Sequence, residues 1–355
     1  MPDYFSPDYR TASTRFLEAA ERLDGQVQSI TLDGQGPAGE ALGILVAVLG
    51  ASTPKRALIH TSGLHGVEGF PGSAVQLRVM ESLEPPRDSG DSIVLVHCIN
   101  PHGMAWLRRA NENNVDLNRN FLFDGQAYAN VSEAYRRLSP LINPERNGRL
   151  VGGFYARAVW HVLRHGMTAT KQAVAEGQYE FPQGLFYGGN CLQQGPQRLL
   201  DWMQAHFQEL RQAVCIDVHT GLGSFGQQSL WVDDPADSAR FQQIGAHIPG
   251  IEPMGQSATG YKVRGGFLAG LAEQLPQAIW YCVTQEFGTL APLKVLKALR
   301  DENFYHHQAS AEDPSHPVKQ RMLRAFSPAS KVWREKILAR GEGVFQEARQ
   351  FVFKD

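Results

Sequence analysis

Four residues of this chain have the types and the setting for metal-assisted chemistry: His65, Glu68, His219 and Glu286. His65 and Glu68 stand three apart in HTSGLHGVEGFPG (60–72), where an apolar run gives way through glycines to a helical pattern. Residues at i and i+3 of a turn project to one side and can share a ligand. An imidazole and a carboxylate are both good zinc ligands. Alone the pair says little, because a polar turn in which Glu68 caps the next helix has the same spacing. His219 changes the weight of the pair. It ends the apolar run AVCIDVH and precedes the glycine-rich TGLG, so it can reach a site assembled from other strand ends. Two histidines and one carboxylate make a catalytic zinc set that keeps one position open. Neither HExxH nor HxxEH occurs here, because Gly69 follows Glu68.

Hydrolysis at such a centre also needs a base for the proton of water and a cation for the developing oxyanion. Glu286, in TQEFGT, ends a strongly apolar run, where a carboxylate is costly unless it meets an opening or a partner. Between the ligands, NPHGMAWLRRANENNVDLNRNF (100–121) gathers Arg108, Arg109, Asn118 and Arg119. Guanidinium forks and an amide donor suit a substrate carboxylate. The plainer alternatives are a solvated face for the arginines and a turn for Asn118.

These residues need a frame, and the chain alternates strand and helix patterns. ALGILVAVLG (41–50), RALIHT (56–61), SIVLVHCIN (92–100), AVCIDVHT (213–220), SLWVDD (229–234) and AIWYCVTQEF (278–287) read as strands. Several are nearly continuous in apolar residues, as strands covered on both faces are. Helical stretches lie at 70–83, 195–211 and 291–307, the first with Pro71 in its opening turn. The expected fold is α/β, with three α/β/α layers around a mixed, mostly parallel sheet, and ligand sites form at the strand ends of such sheets. The interval 124–190 breaks the rhythm and reads as a helical insertion walling one side of a cleft. One or two amphipathic helices occupy about 315–355, and no linker divides the chain, so 1–355 reads as one domain.

The 355 residues hold 43% hydrophobic and 20% charged residues with net charge −2, which points to no nucleic-acid or anionic-membrane partner. The start lacks a signal-peptide pattern and no run approaches a membrane span. Cys98, Cys191, Cys215 and Cys282 lack CxxC spacing and read as buried free thiols, with a cytoplasmic location expected.

Taken in order, HGVEG, NPHG, DLNRNF, DVHTG and QEFGT resemble the zinc carboxypeptidase family and its deacylase relatives, aspartoacylase and succinylglutamate desuccinylase. The likeness spans roughly residues 40 to 300. It implies one zinc per chain on His65, Glu68 and His219, with Glu286 as general base. It further implies that Asn118 and Arg119 hold a substrate's terminal carboxylate and that Asp116 orients a zinc histidine. Arg109, or its neighbour Arg108, would stabilise the oxyanion, and Tyr261 would match a mobile active-site tyrosine. The implied substrate is a peptide or an N-acyl amino acid with a free carboxylate.

Other candidates are weaker. His161 and His165 share a helix face without an acidic partner, and GLGSFG (221–226) lacks the lysine and spacing of a phosphate loop. No GxSxG surrounds Ser224 or Ser229. A non-catalytic binding protein on this scaffold is the reading from another class, and the retention of both ligands and base speaks against it.

Overall fold

The structure, a computed structural model, describes residues 3–87, 90–143, 145–146, 149–150, 152–255 and 263–354. Eight strands form the main sheet: β1 (Gln26–Gln35), β2 (Ala41–Gly50), β3 (Arg56–Ser62), β4 (Asp91–His97), β7 (Gln212–Thr220), β8 (Gln228–Val232), β9 (Ile251–Pro253) and β10 (Ile279–Phe287). A short hairpin, β5 (Glu145–Arg146) and β6 (Arg149–Leu150), stands apart from it. The order across the sheet is β1-β2-β4-β3-β7-β10-β8-β9. The central four strands run parallel, while β1, β2 and β8 pair antiparallel to their inner neighbours. The expected mixed, mostly parallel sheet is what forms.

Two apolar layers cover it. On one face pack α1 (Tyr9–Glu21), α2 (Gly69–Glu81) and the last helix, α12 (Lys331–Val352), through Phe16, Val75, Ile337 and Phe345. On the other lie α7 (Gln194–His206) and α9 (Phe267–Gln274), through Leu199, Met203, Phe267 and Leu271. Alternation along β7 feeds both layers: Val214, Ile216 and Val218 face the first, Ala213 and Cys215 the second. Asp217 and His219 therefore continue the second face at the end of the strand.

The insertion at 124–190 holds α4 (Glu133–Ile142), the β5–β6 hairpin, α5 (Phe154–His165) and α6 (Met167–Glu176). It shares a third apolar cluster with α3 (Pro101–Ala105), α10 (Pro292–Gln308) and α11 (Pro317–Phe326). The remaining helix, α8 (Ala239–Gly245), lies between β8 and β9 in sequence.

Three differences from the sequence reading have physical reasons. β1 is a polar edge strand, QVQSITLDGQ, with one neighbour and mostly exposed side chains, so it carries no apolar run. α1 is set by an Asp8 cap, whose carboxylate accepts from Thr11 N–H at 2.7 Å. Of the thiols, Cys98 and Cys215 are buried and Cys282 is half-buried, but Cys191 is exposed.

Candidate metal centre

The chain leaves β3 at Ser62, turns, and forms a single 3-10 turn at Gly66–Glu68 before α2. Two contacts pin that turn to α3 and to the segment that follows it. Val67 N–H donates to the Arg108 carbonyl at 2.8 Å, and a Cβ on Gly66 would fall 2.1 Å from the Gly103 carbonyl carbon. Only glycine permits that approach. On the adjoining parallel strand, His219 stands one residue before the end of β7. The ligand atoms of His65, Glu68 and His219 lie within 4.8 Å of one another, and all three residues are buried. The Glu68 carboxylate is 3.1 Å from His65 Nδ1 and 3.2 Å from His219 Nδ1, and the two Nδ1 atoms are 3.2 Å apart. Both imidazoles thus present the same nitrogen to one point. The expected trio is brought together.

Each ring's far nitrogen meets an aspartate. His65 Nε2 lies 3.1 Å from Asp116 Oδ1, and His219 Nε2 lies 2.6 Å from Asp217 Oδ2. Asp217 is itself held by the Thr61 hydroxyl at 2.6 Å. A carboxylate on the outer nitrogen fixes the tautomer and aims the inner nitrogen at a cation. Sequence reasoning named Asp116 and passed over Asp217, although DVH carried the signal, since residues two apart on a strand share a face. Asp217→Asn should weaken metal affinity about 10- to 100-fold, measurable by competition with a chromogenic chelator; unchanged affinity would remove Asp217 from the centre.

Electrostatics follow the same grouping. Burial opposes the charged form of Glu68, but His65, His219 and Arg109 outweigh it and hold the carboxyl well below its ordinary range. Asp116 is held low against burial by Arg109 and Arg119. His219 is raised, because Asp217 and Glu68 overcome the effect of burial. Glu286 behaves in the opposite way to Glu68. It is the register partner of His219 on the adjoining parallel strand, buried, and anchored by Leu222 N–H at 2.8 Å. Burial, then the Glu68 charge, pushes it up to about 8, with His219 pulling the other way. Two carboxylates in one site with divergent proton affinities suit different tasks.

The two candidate arginines part company. Arg109 turns to the centre, donating to Glu68 Oε1 at 3.0 Å and to Asp116 Oδ2 at 3.3 Å. Its Nη2 is 2.7 Å from His65 Nε2. Arg108 turns away and is fully buried, bonding Glu302 at 3.0 Å and Asn114 at 2.8 Å. Lys319 joins Glu302 at 2.7 Å, so a buried ion network ties this segment to α10 and α11. Arg108→Met should cost about 3 kcal/mol or more, since it strips a partner from a buried carboxylate. Chemical unfolding with zinc present checks this, and a change below ~1 kcal/mol would refute it.

Asn118 is half-buried, its amide oxygen accepting from Phe267 N–H at 3.1 Å, which leaves the NH2 end to donate to a ligand. Arg119 departs from expectation. Its side chain is 1% exposed, paired with Asp116 and donating to the Val174 carbonyl at 3.0 Å. The insertion covers it, so it braces Asp116 and does not open onto a cleft. Tyr261 lies outside the described residues.

Two imidazole nitrogens and a carboxylate converging on one point, each ring backed by an aspartate, are the donors zinc prefers, so the residues fit that ion. The chain belongs to the family described as a protein of unknown function (DUF2817), whose profile matches residues 5–340. No curated protein matches the sequence. Among solved structures it is similar to carboxypeptidase A from Helicoverpa armigera, at 12% identity and TM-score 0.47, covering 90% of this chain and 74% of that one. Bovine thrombin-activatable fibrinolysis inhibitor aligns over 95% of this chain and 97% of its own, at 14% identity and TM-score 0.45. Murein-tripeptide amidase MpaA from Escherichia coli O157 aligns over 82% and 97%, at 18% identity and TM-score 0.37. At these scores the likeness says nothing of substrate.

Proposed function

We propose that this chain is a zinc-dependent hydrolase that cleaves an amide bond adjacent to a free carboxylate, acting as a metallocarboxypeptidase on peptides. The observation that carries this reading is the convergence of His65, Glu68 and His219 with Glu286 on the adjoining strand and Arg109 at the rim. Zinc held by the three ligands would supply Lewis acidity and lower the pKa of water at the site to about 7. Glu286 takes the proton of the attacking water and returns it to the leaving amine. Its raised proton affinity suits both halves of that exchange. Arg109 places its charge where the carbonyl oxygen becomes anionic. Asn118 donates its amide N–H to the substrate carboxylate, and Arg119 supports that end of the site through Asp116.

A second reading, hydrolysis of small N-acyl amino acids, is favoured by Phe186. Its ring lies 6.0 Å from the Arg109 guanidinium and 5.2 Å from that of Arg119, so the insertion crowds the anion-binding end. Incubating the zinc-loaded protein with a short peptide and with N-acetyl amino acids separates the two. Release of C-terminal residues alone supports the peptidase. Release of acetate alone supports the deacylase. With neither, at full zinc occupancy, both readings fail and a binding protein on this scaffold takes their place.

A further inference from the structure

Helix α5 carries a second set of apolar residues on the outside. Phe154, Ala158 and His161 face the protein, while Tyr155 is 47%, Val159 51%, Trp160 60% and Leu163 81% exposed. The spacing 155, 159, 160, 163 places these four along one stripe of the helix. Arg164 is also exposed, its guanidinium 5.4 Å from the Trp160 ring. In the sequence, the charge between Glu145 and Glu176, the stretch that holds the stripe, is one-sided. Residues 146–175 contain Arg146, Arg149, Arg157, Arg164 and Lys171 and no Asp or Glu. With +5 in these residues and −2 overall, the rest of the chain carries −7. The whole-chain balance, from which the sequence suggests no membrane partner, averages this contrast away. Arg157 is turned to the Pro140 carbonyl, at 2.6 Å, so Arg164 is the stripe's own cation among the described side chains.

We propose that α5 is a peripheral membrane-docking helix that lays Tyr155, Val159, Trp160 and Leu163 into the headgroup region of an anionic lipid bilayer. A basic helix with Trp and Leu on its apolar face is the type that lies in that interface, and Trp and Tyr favour headgroup depth. Arg164 beside Trp160 meets the phosphates at the same level. The acidic remainder of the chain is repelled by the same surface, so contact is restricted to this face. A second copy of the chain is a poorer occupant. A twofold contact through the stripe would bring Arg164 towards the Arg164 of the second copy. One 12-residue helix also offers a few hundred Å², against the roughly 800 Å² per partner of a stable complex. No helix among the described residues is long and apolar enough to cross a membrane, so docking is confined to the surface.

The test is co-sedimentation of the full chain with vesicles of phosphatidylcholine alone and with about 30% phosphatidylglycerol, at low salt and about 0.5 M salt. Trp160→Ala, Leu163→Asp and Arg164→Glu are compared with the parent, each checked for unchanged thermal unfolding and zinc content. The expected partition onto anionic vesicles is about tenfold or more above neutral ones. High salt should lower it, Arg164→Glu should cut it by about fivefold or more, and Leu163→Asp should abolish it. Equal partition onto both vesicle types, or anionic binding that survives Leu163→Asp, would overturn the proposal. So would a dimer in sedimentation equilibrium that Leu163→Asp splits, with no vesicle binding; that result would give the stripe to a second copy.

Discussion

Glu286→Gln should lower kcat by about 10³-fold while leaving about one zinc per chain bound. The amide keeps the length of the side chain and an oxygen for the Leu222 N–H, yet it cannot hold a proton for transfer. Elemental mass spectrometry and steady-state kinetics on the same sample read both halves. Activity near the parent level would remove Glu286 from the reaction, and loss of zinc would mean that the carboxylate serves the ligands instead. A further sign follows from its proton affinity. Glu286 titrates at about 8 in the fold against 4.5 as an ordinary side chain, so the folded chain binds the extra proton between those values. The metal-free protein should then lose stability as pH rises from about 5 to 8, by ~4 kcal/mol at most from this group. Glu286→Gln should flatten that slope. Urea titrations at both ends of the window would show it, and identical slopes in parent and variant would refute the assignment.

His219→Ala should reduce zinc from about one per chain to nearly none and abolish turnover, because two ligands and an unmatched pair of carboxylates remain. Replacing His161 in the same way should leave zinc in place, since that residue lies in the helical insertion. Metal uptake should also release a proton. Asp217 and Glu68 hold His219 in its charged form against the effect of burial, and a ligand imidazole has to be neutral. Zinc affinity should therefore rise with pH, and calorimetry in buffers of different ionisation enthalpy should count about one proton released. A pH-independent affinity would mean that His219 is not a ligand.

The residues that act through periodic backbone were legible in the sequence. β3, β7 and β10 are apolar enough to be read directly, and His219 and Glu286 stand at their ends, where an α/β sheet opens. The HxxE turn was legible for the same reason, since it follows a strand and precedes Pro71. What escaped depends on side-chain direction. Nothing in the letters of LRRANEN separates Arg108 from Arg109; the fold does so by placing Glu302, 194 residues on in sequence, and its partner Lys319 on one side of the segment. The burial of Arg119 was not legible, because the Val174 carbonyl that it meets belongs to an insertion whose packing no local pattern announces. Asp217 was readable by alternation alone. β1, polar and at the edge, offered no burial to detect.

The pairing of Glu286 with His219 across two parallel strands turns the sheet into a ruler. Neighbouring strands keep a spacing of about 4.8 Å set by peptide hydrogen bonds, so the interval between Glu286 and His219 does not depend on how the helices outside are packed. The insertion is under no such constraint. Its helices, hairpin and Phe186 can drift in length and composition while the interval stays fixed. On the proposed function, such a division would let one reaction be passed between different substrates by altering the wall and never the rule against which the reacting atoms are measured.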